Sequence, residues 1–286
     1  VNQSLITLKD AYHSDVTQLR PEDSSFQTLF ADITHRCNMT CKNCYIPVRD
    51  LPDLPVDWLY EILSRLPRRT RIRLVGAEPT MREDLPDIIR QVRKLGHIPV
   101  ILSNGLKLGR PSYVRTLKSA GLKTVYLSMN GGLKDHLYEE IDELACADRK
   151  LKALDNVLAE GLNVTVGMIL IPGLNVDHLA DFLEYLDQRN VRDIHLRSVG
   201  PIGDYMKNTP FDLQGLETCL RLALGDRSEM LEYKDRSDSN LDLQLGRVKY
   251  QLTAWPDLGS SERGRITPDG HVEPMFESMI ANEFSY

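Results

Sequence analysis

The sequence predicts an α/β fold built on a parallel sheet, and three observations carry the prediction. Strand-like and helix-like patterns alternate six times between residues 27 and 224, and such alternation implies parallel strands joined by right-handed crossovers. The strand segments are near-continuous apolar runs, as in strands covered on both faces. The Gly-rich and polar signals fall directly after strands, at the end where ligands bind in parallel α/β sheets. An open partial barrel and a doubly wound sheet both fit this pattern.

Each element has a local reason. QTLFADIT (27–34) reads as a strand ending in polar groups, and VDWLYEILSRL (56–66) has the apolar spacing of a helix at Val56, Leu59, Ile62, Leu63 and Leu66. IRLVGAEPT (72–80) is a buried strand entering a Gly-containing loop, and LPDIIRQVRKLG (85–96) is a helix closed by glycine. HIPVILSNG (97–105) and KTVYLSMNGG (123–132) are strands running into turns, with the helix PSYVRTLKSAG (111–121) between them. Residues 134–160 read as helix in two pieces. LNVTVGMILIPG (162–173), VDHLADFLEYLDQR (176–189) and VRDIHLRSVG (191–200) read as strand, helix and strand, and 212–224 as a further helix. Residues 226–262 are polar and irregular apart from an amphipathic stretch at 241–252. GRITPDGHVEPM (264–275) reads as a hairpin around Pro268, Asp269 and Gly270. This gives an N-terminal segment (1–24), a core (25–225) and a C-terminal extension (226–286).

Composition narrows the class. The 286 residues are 42% hydrophobic and 27% charged with a net charge of −6, as in a globular enzyme. Nucleic-acid binding, which favours a basic surface, is not expected, and the basic PRRTRIR at 67–73 reads as a solvated helix end. No apolar run reaches the ~18 residues of a membrane span, and VNQSLITLKDAYHSD at the start lacks the pattern of a secretory signal. Five cysteines in such a chain read as metal or redox chemistry in a reducing compartment, so a cytoplasmic location is expected.

Three of those cysteines stand in HRCNMTCKNCYIP (35–47) with spacing C-x₃-C-x₂-C. Thiolates suit zinc or an iron–sulfur cluster. A structural zinc site is closed by four protein ligands, and His35 would complete a Cys₃His set, making a zinc-stabilised binding module the rival reading. A [4Fe–4S] cluster on three cysteines instead leaves one iron open for chemistry.

The ordered set of motifs resembles the radical S-adenosylmethionine (SAM) superfamily over about residues 27–200. C-x₃-C-x₂-C follows the first strand with an aromatic, Tyr45, directly after it. GAEPT (76–80) resembles the superfamily's GGEP motif, with Ala77 for the second glycine. SNG (103–105) and LSMNG (127–131) resemble its ribose-contacting strand ends. The resemblance implies a partial (β/α)₆ TIM-type barrel with a short C-terminal extension. It implies a [4Fe–4S] cluster on Cys37, Cys41 and Cys44, with SAM chelating the fourth iron. Gly76, Ala77, Glu78 and Pro79 would hold the methionyl ammonium. Ser103, Asn104, Ser128 and Asn130 would meet the ribose, Met168 and its neighbours the adenine, and Arg197 the SAM carboxylate or a substrate anion. Tyr45 would line the cluster pocket. One electron into SAM would give a 5′-deoxyadenosyl radical that removes a hydrogen atom from a small molecule or peptide. An electron donor such as flavodoxin or ferredoxin is implied.

Cys146 and Cys219 read first as small buried hydrophobes; Cys219 is the candidate hydrogen donor to a product radical. His195 reads as a structural residue of a half-buried strand. The terminal hairpin resembles the opening of SPASM and twitch extensions, but Met275 stands where a cluster cysteine would follow. That departure favours chemistry without a second cluster: epimerisation, rearrangement, decarboxylation, radical addition, or dehydrogenation using the first cluster. A natural-product tailoring enzyme fits this, with a glycyl-radical-enzyme activating enzyme as the alternative.

Overall fold

The computed structural model describes residues 19–44, 51–199, 211–254, 262–267 and 271–274. Tyr45, Met275 and the turn residues Pro268, Asp269 and Gly270 lie outside them. The six units form as the periodicity requires: β1 (Thr28–Thr34), α1 (Val56–Arg65), β2 (Arg71–Gly76), α2 (Leu85–Lys94), β3 (Ile98–Ser103), α3 (Pro111–Ser119) and β4 (Thr124–Ser128) come first. Then follow α4 (Asp135–Asp142), α5 (Ala147–Ala159), β5 (Asn163–Ile169), α6 (Leu179–Gln188), β6 (Asp193–Arg197) and α7 (Leu213–Leu224). Strands β1 to β6 pair in sequence order, all parallel. This is the partial TIM-type barrel.

Within the stretch read as irregular, β7 (Glu232–Arg236) is an unexpected strand, and the amphipathic part at 241–252 forms two more, β8 (Asn240–Leu245) and β9 (Val248–Thr253). They are followed by β10 (Arg263–Ile266) and β11 (Val272–Pro274). The order β11-β10-β1-β2-β3-β4-β5-β6-β9-β8-β7 makes one sheet. β7 was illegible because its five residues, EYKDR, are all exposed, so no apolar alternation marks it. The terminal hairpin forms as expected, with Gly264 opposite Pro274.

β9 lies parallel to β6 and β10 parallel to β1, so the extension adds one parallel strand to each edge of the barrel. Covalent geometry then demands curvature. Eight residue steps from Ala254 to Glu262 reach at most about 29 Å. The seven strand spacings between β10 and β9 would span about 34 Å if flat. The sheet must therefore curl to bring its edges together.

Alternation divides the strand residues. Leu29, Ala31, Ile33, Ile72, Leu74 and Val125 face the helices and join one large buried cluster with α1–α3 and α5–α7. The other face, with Phe30, Arg73, Tyr126, Thr165, His195 and Arg197, turns to the lumen. Several lumen residues stay partly accessible, Phe30, Arg73, Thr165 and Arg197 among them. A small closed barrel fills its interior with side chains; this one does not seal it.

Candidate active site at the carboxyl ends of the strands

The cysteine loop leaves β1 at a register shift between Asp32 and Thr34, which sets Thr34 opposite Gly76. Gly76 has φ +119°, and a Cβ there would stand 2.1 Å from the Thr34 carbonyl oxygen. Glycine is needed here because two backbones touch. The contact lets Ala77 N–H donate to Thr34 O (2.9 Å) and Glu78 N–H to Arg36 O (3.0 Å), one residue before Cys37. Asp53 closes the base of the loop, accepting from Thr34 Oγ1 (2.6 Å) and pairing with Arg36. Farther on, Lys42 N–H donates to Ile141 O (3.0 Å) at the end of α4. The loop is thus fixed on both sides.

Glu78 is the centre of the strand-end network. It is 1% exposed. Its Oε1 accepts from Thr80 N–H (3.0 Å), Thr80 Oγ1 (2.6 Å) and Ser103 Oγ (2.9 Å), and its Oε2 from Asn104 N–H (2.7 Å). Burial raises its pKa, and these donors oppose the rise. The Thr80 bond caps a short turn, Pro79–Met81, that proline starts with its fixed φ. The carboxylate therefore ties β2 to β3.

Asn104 continues the network to the metal side. Its Nδ2 donates to Asn38 Oδ1 (2.8 Å) and lies 3.9 Å from the Cys37 sulfur. Cys37, Cys41 and Cys44 are outside any disulfide and of intermediate exposure. Burial pushes the Cys41 thiol up, with Asp142 adding to the effect and Lys150 opposing it; a thiolate ligand there would need a cationic centre to offset the rise. Among the described residues no three Cys, His, Asp or Glu side chains are grouped to grip a single metal ion. Cys37 and Cys41 pack against the apolar wall formed by Met39 and Tyr138, and the Asn104 amide N–H stands beside the Cys37 sulfur. His35, the candidate fourth zinc ligand, is 2% exposed and hydrogen-bonds the backbone of Pro52.

The remaining expected residues divide. Ser128, at the end of β4, is half-buried on the lumen side, and its carbonyl accepts from Lys150 Nζ (3.1 Å). Asn130 is engaged: its Oδ1 accepts from Ile169 N–H (3.1 Å). Met168 packs in the helix-side core, so any cofactor contact at this point of β5 comes through backbone. Cys219 also lies in that core, on α7, which packs against α6 and β9. The sheet separates it from the lumen, the wrong side for a hydrogen donor. Cys146 is not inside a helix but precedes α5, packed with Met39 beside the cysteine loop.

Several residues gave no signal in the sequence. Lys150 and Asp142 form a fully buried ion pair (3.1 Å), with the ammonium 4.8 Å from the Tyr138 ring centroid. Asn175 binds the β4 and β5 ends together, donating to Asn130 O (2.9 Å) and Ile169 O (2.7 Å) and accepting from Ile171 N–H (2.9 Å). Each is an ordinary polar residue until the fold buries it.

A site of three cysteines at the carboxyl edge of a parallel half-barrel defines a class, and comparison agrees. The sequence profile of the Radical SAM superfamily matches residues 32–186, and the chain belongs to that superfamily. Its cofactors are a [4Fe–4S] cluster and SAM. The GTP 3′,8-cyclase of Sulfurovum sp. (strain NBC37-1) is 28% identical over 172 residues, 57% of this chain and 52% of that protein. The 7,8-dihydro-6-hydroxymethylpterin dimethyltransferase of Methanocaldococcus jannaschii is 29% identical over 183 residues, 60% of this chain and 36% of that protein. The chain thus spans about half the length of the first relative and about a third of the second. In fold it is similar to SuiB of Streptococcus suis, solved with its precursor peptide SuiA, with TM-score 0.68 and 16% identity over 90% of this chain and 61% of SuiB. No described helix is long and apolar enough to cross a membrane.

Proposed function

We propose that the chain directs radical chemistry onto a small molecule or peptide held in the barrel lumen. Bound together, cluster and SAM supply a 5′-deoxyadenosyl radical able to remove a hydrogen atom from an unactivated C–H bond. The chain's own residues hold and orient. Cys37, Cys41 and Cys44 take the cluster, and the Asn104 amide donates toward the Cys37 sulfur. The Gly76–Ala77 backbone receives the methionyl ammonium while Glu78 keeps that loop registered on β3. Ser128 and the 103–104 turn would meet the ribose hydroxyls.

The observation that carries this reading is the continuous network from Cys37 through Asn104 and Glu78 to Ser103, which links the cysteine loop to the ends of β2 and β3. Epimerisation, rearrangement, decarboxylation and dehydrogenation are the outcomes proposed for the substrate radical. The relatives' names span a nucleotide and a pterin, and SuiB binds a peptide, in keeping with a substrate set by the lumen rather than by the fold. A reducing, cytoplasmic compartment and a flavodoxin- or ferredoxin-like donor complete the reading.

Anaerobic reconstitution tests it. The protein should turn brown, absorb broadly near about 400 nm, and release 5′-deoxyadenosine from SAM under a chemical reductant. Cys41→Ala should abolish both. A colourless protein with stoichiometric zinc, or cleavage at an unchanged rate in Cys41→Ala, would overturn the reading.

A further inference from the structure

We propose that the lumen contains a built oxyanion site, with Arg73 of β2 and Arg197 of β6 as its donors, which takes the carboxylate or phosphate group of a small substrate. The proposal deepens the preceding reading, since it takes the lumen as the substrate chamber.

Two guanidinium groups turn inward from strands on either side of the lumen. The Nε atoms of both Arg73 and Arg197 are buried and have no hydrogen-bond partner. Neither side chain forms an ion pair among the described residues. Each stacks on an aromatic ring instead, Arg73 on Phe30 (5.1 Å to the centroid) and Arg197 on Tyr126 (5.7 Å). The rings orient the guanidiniums, and a buried donor without a partner is costly, so the two Nε atoms are left open to an acceptor.

The acids nearby do not supply one. Asp32 is bound to Arg265, Glu273 lies opposite Arg265 in the register, and Asp242 pairs with Lys249 (2.6 Å). Asp193 begins β6 at an exposed position. Arg197, Arg73, Arg263 and Lys249 all add to the lowering of buried His195. Burial also lowers Arg73 to about 10, with neighbouring arginines adding to the fall. It stays charged at neutral pH.

The Tyr126 ring on which Arg197 stacks is held in place. A Cβ at Gly167 would stand 1.9 Å from the Tyr126 hydroxyl, so glycine at this point of β5 lets the ring lie across the sheet. Tyr126 Oη then meets His195 Nδ1 (3.2 Å), and His195 Nε2 meets Thr253 Oγ1 (2.8 Å). A rigid support of this kind fixes the fork that matches a carboxylate or phosphate bidentately.

The test uses the full chain at low ionic strength, with inorganic phosphate and succinate as separate probes and chloride at matched ionic strength as control. Thermal midpoints and calorimetry read binding independently of SAM cleavage. One oxyanion should raise the midpoint beyond chloride, and which one does so separates a phosphate-bearing from a carboxylate-bearing substrate. Arg73→Gln and Arg197→Gln should each weaken that binding by about tenfold or more, while the ligand-free midpoint does not fall, because each change removes a self-repelling charge. Arg73→Lys, which keeps the charge and loses the fork, should weaken binding as well. Equal effects of both oxyanions and chloride, or full binding in the two Gln variants, would overturn the site. Oxyanion binding in a wild-type protein that fails to cleave SAM would keep the site and sink the proposed function instead.

Discussion

At the residue scale, His195 shows how burial sets a pH limit. It is 9% exposed between Tyr126 and Thr253. Burial first, and then the surrounding cations, lower its pKa well below the ordinary value. His35 is lowered too, again chiefly by burial. The unfolded chain binds protons that these folded side chains refuse. Stability should be full above about pH 6.5 and fall as pH drops, by up to about 1.4 kcal/mol per unit for each histidine. Urea unfolding between about pH 7 and 5 should show this slope, and His195→Gln should reduce it by one proton's worth. An unchanged slope would mean that His195 takes a proton in the folded state. Neither burial nor partners could be read from VRDIHLRSVG, whose alternation said only that His195 and Arg197 share a face.

At the element scale, the terminal hairpin is joined to the barrel by a buried ion pair. Arg265 of β10 bonds Asp32 of β1, with side-chain exposures of 6% and 3%. Removing one partner from such a pair leaves a buried charge and costs about 3–5 kcal/mol, whereas removing both can be nearly neutral. Arg265→Met should therefore destabilise strongly, and adding Asp32→Asn should recover much of the loss; denaturant midpoints of the cycle measure the coupling. Additive losses would show that the pair is not the attachment. The hairpin itself was legible from its turn residues. Its partner was not, because the aspartate it meets lies 233 positions earlier, and no local pattern links them.

At the scale of the whole molecule, the extension is part of the sheet: β9 covers the β6 edge and β10 the β1 edge. A chain stopped after position 225 would expose two unpaired parallel edges. It should associate or precipitate more readily than the full chain; light scattering after size exclusion would decide, and a monodisperse monomer would show that the six units fold alone. The sequence by itself determined the six βα units, the cysteine triad and the loops after β2, β3 and β4, because periodicity, caps and motif spacing are local properties of the chain. Only the tertiary structure decided that Glu78 engages its neighbours on β3, that Met168 and Cys219 lie behind the sheet, and that Arg73 and Arg197 face one lumen. Those facts depend on which strands become neighbours and how far the sheet curls. They are set by packing between residues tens to hundreds of positions apart.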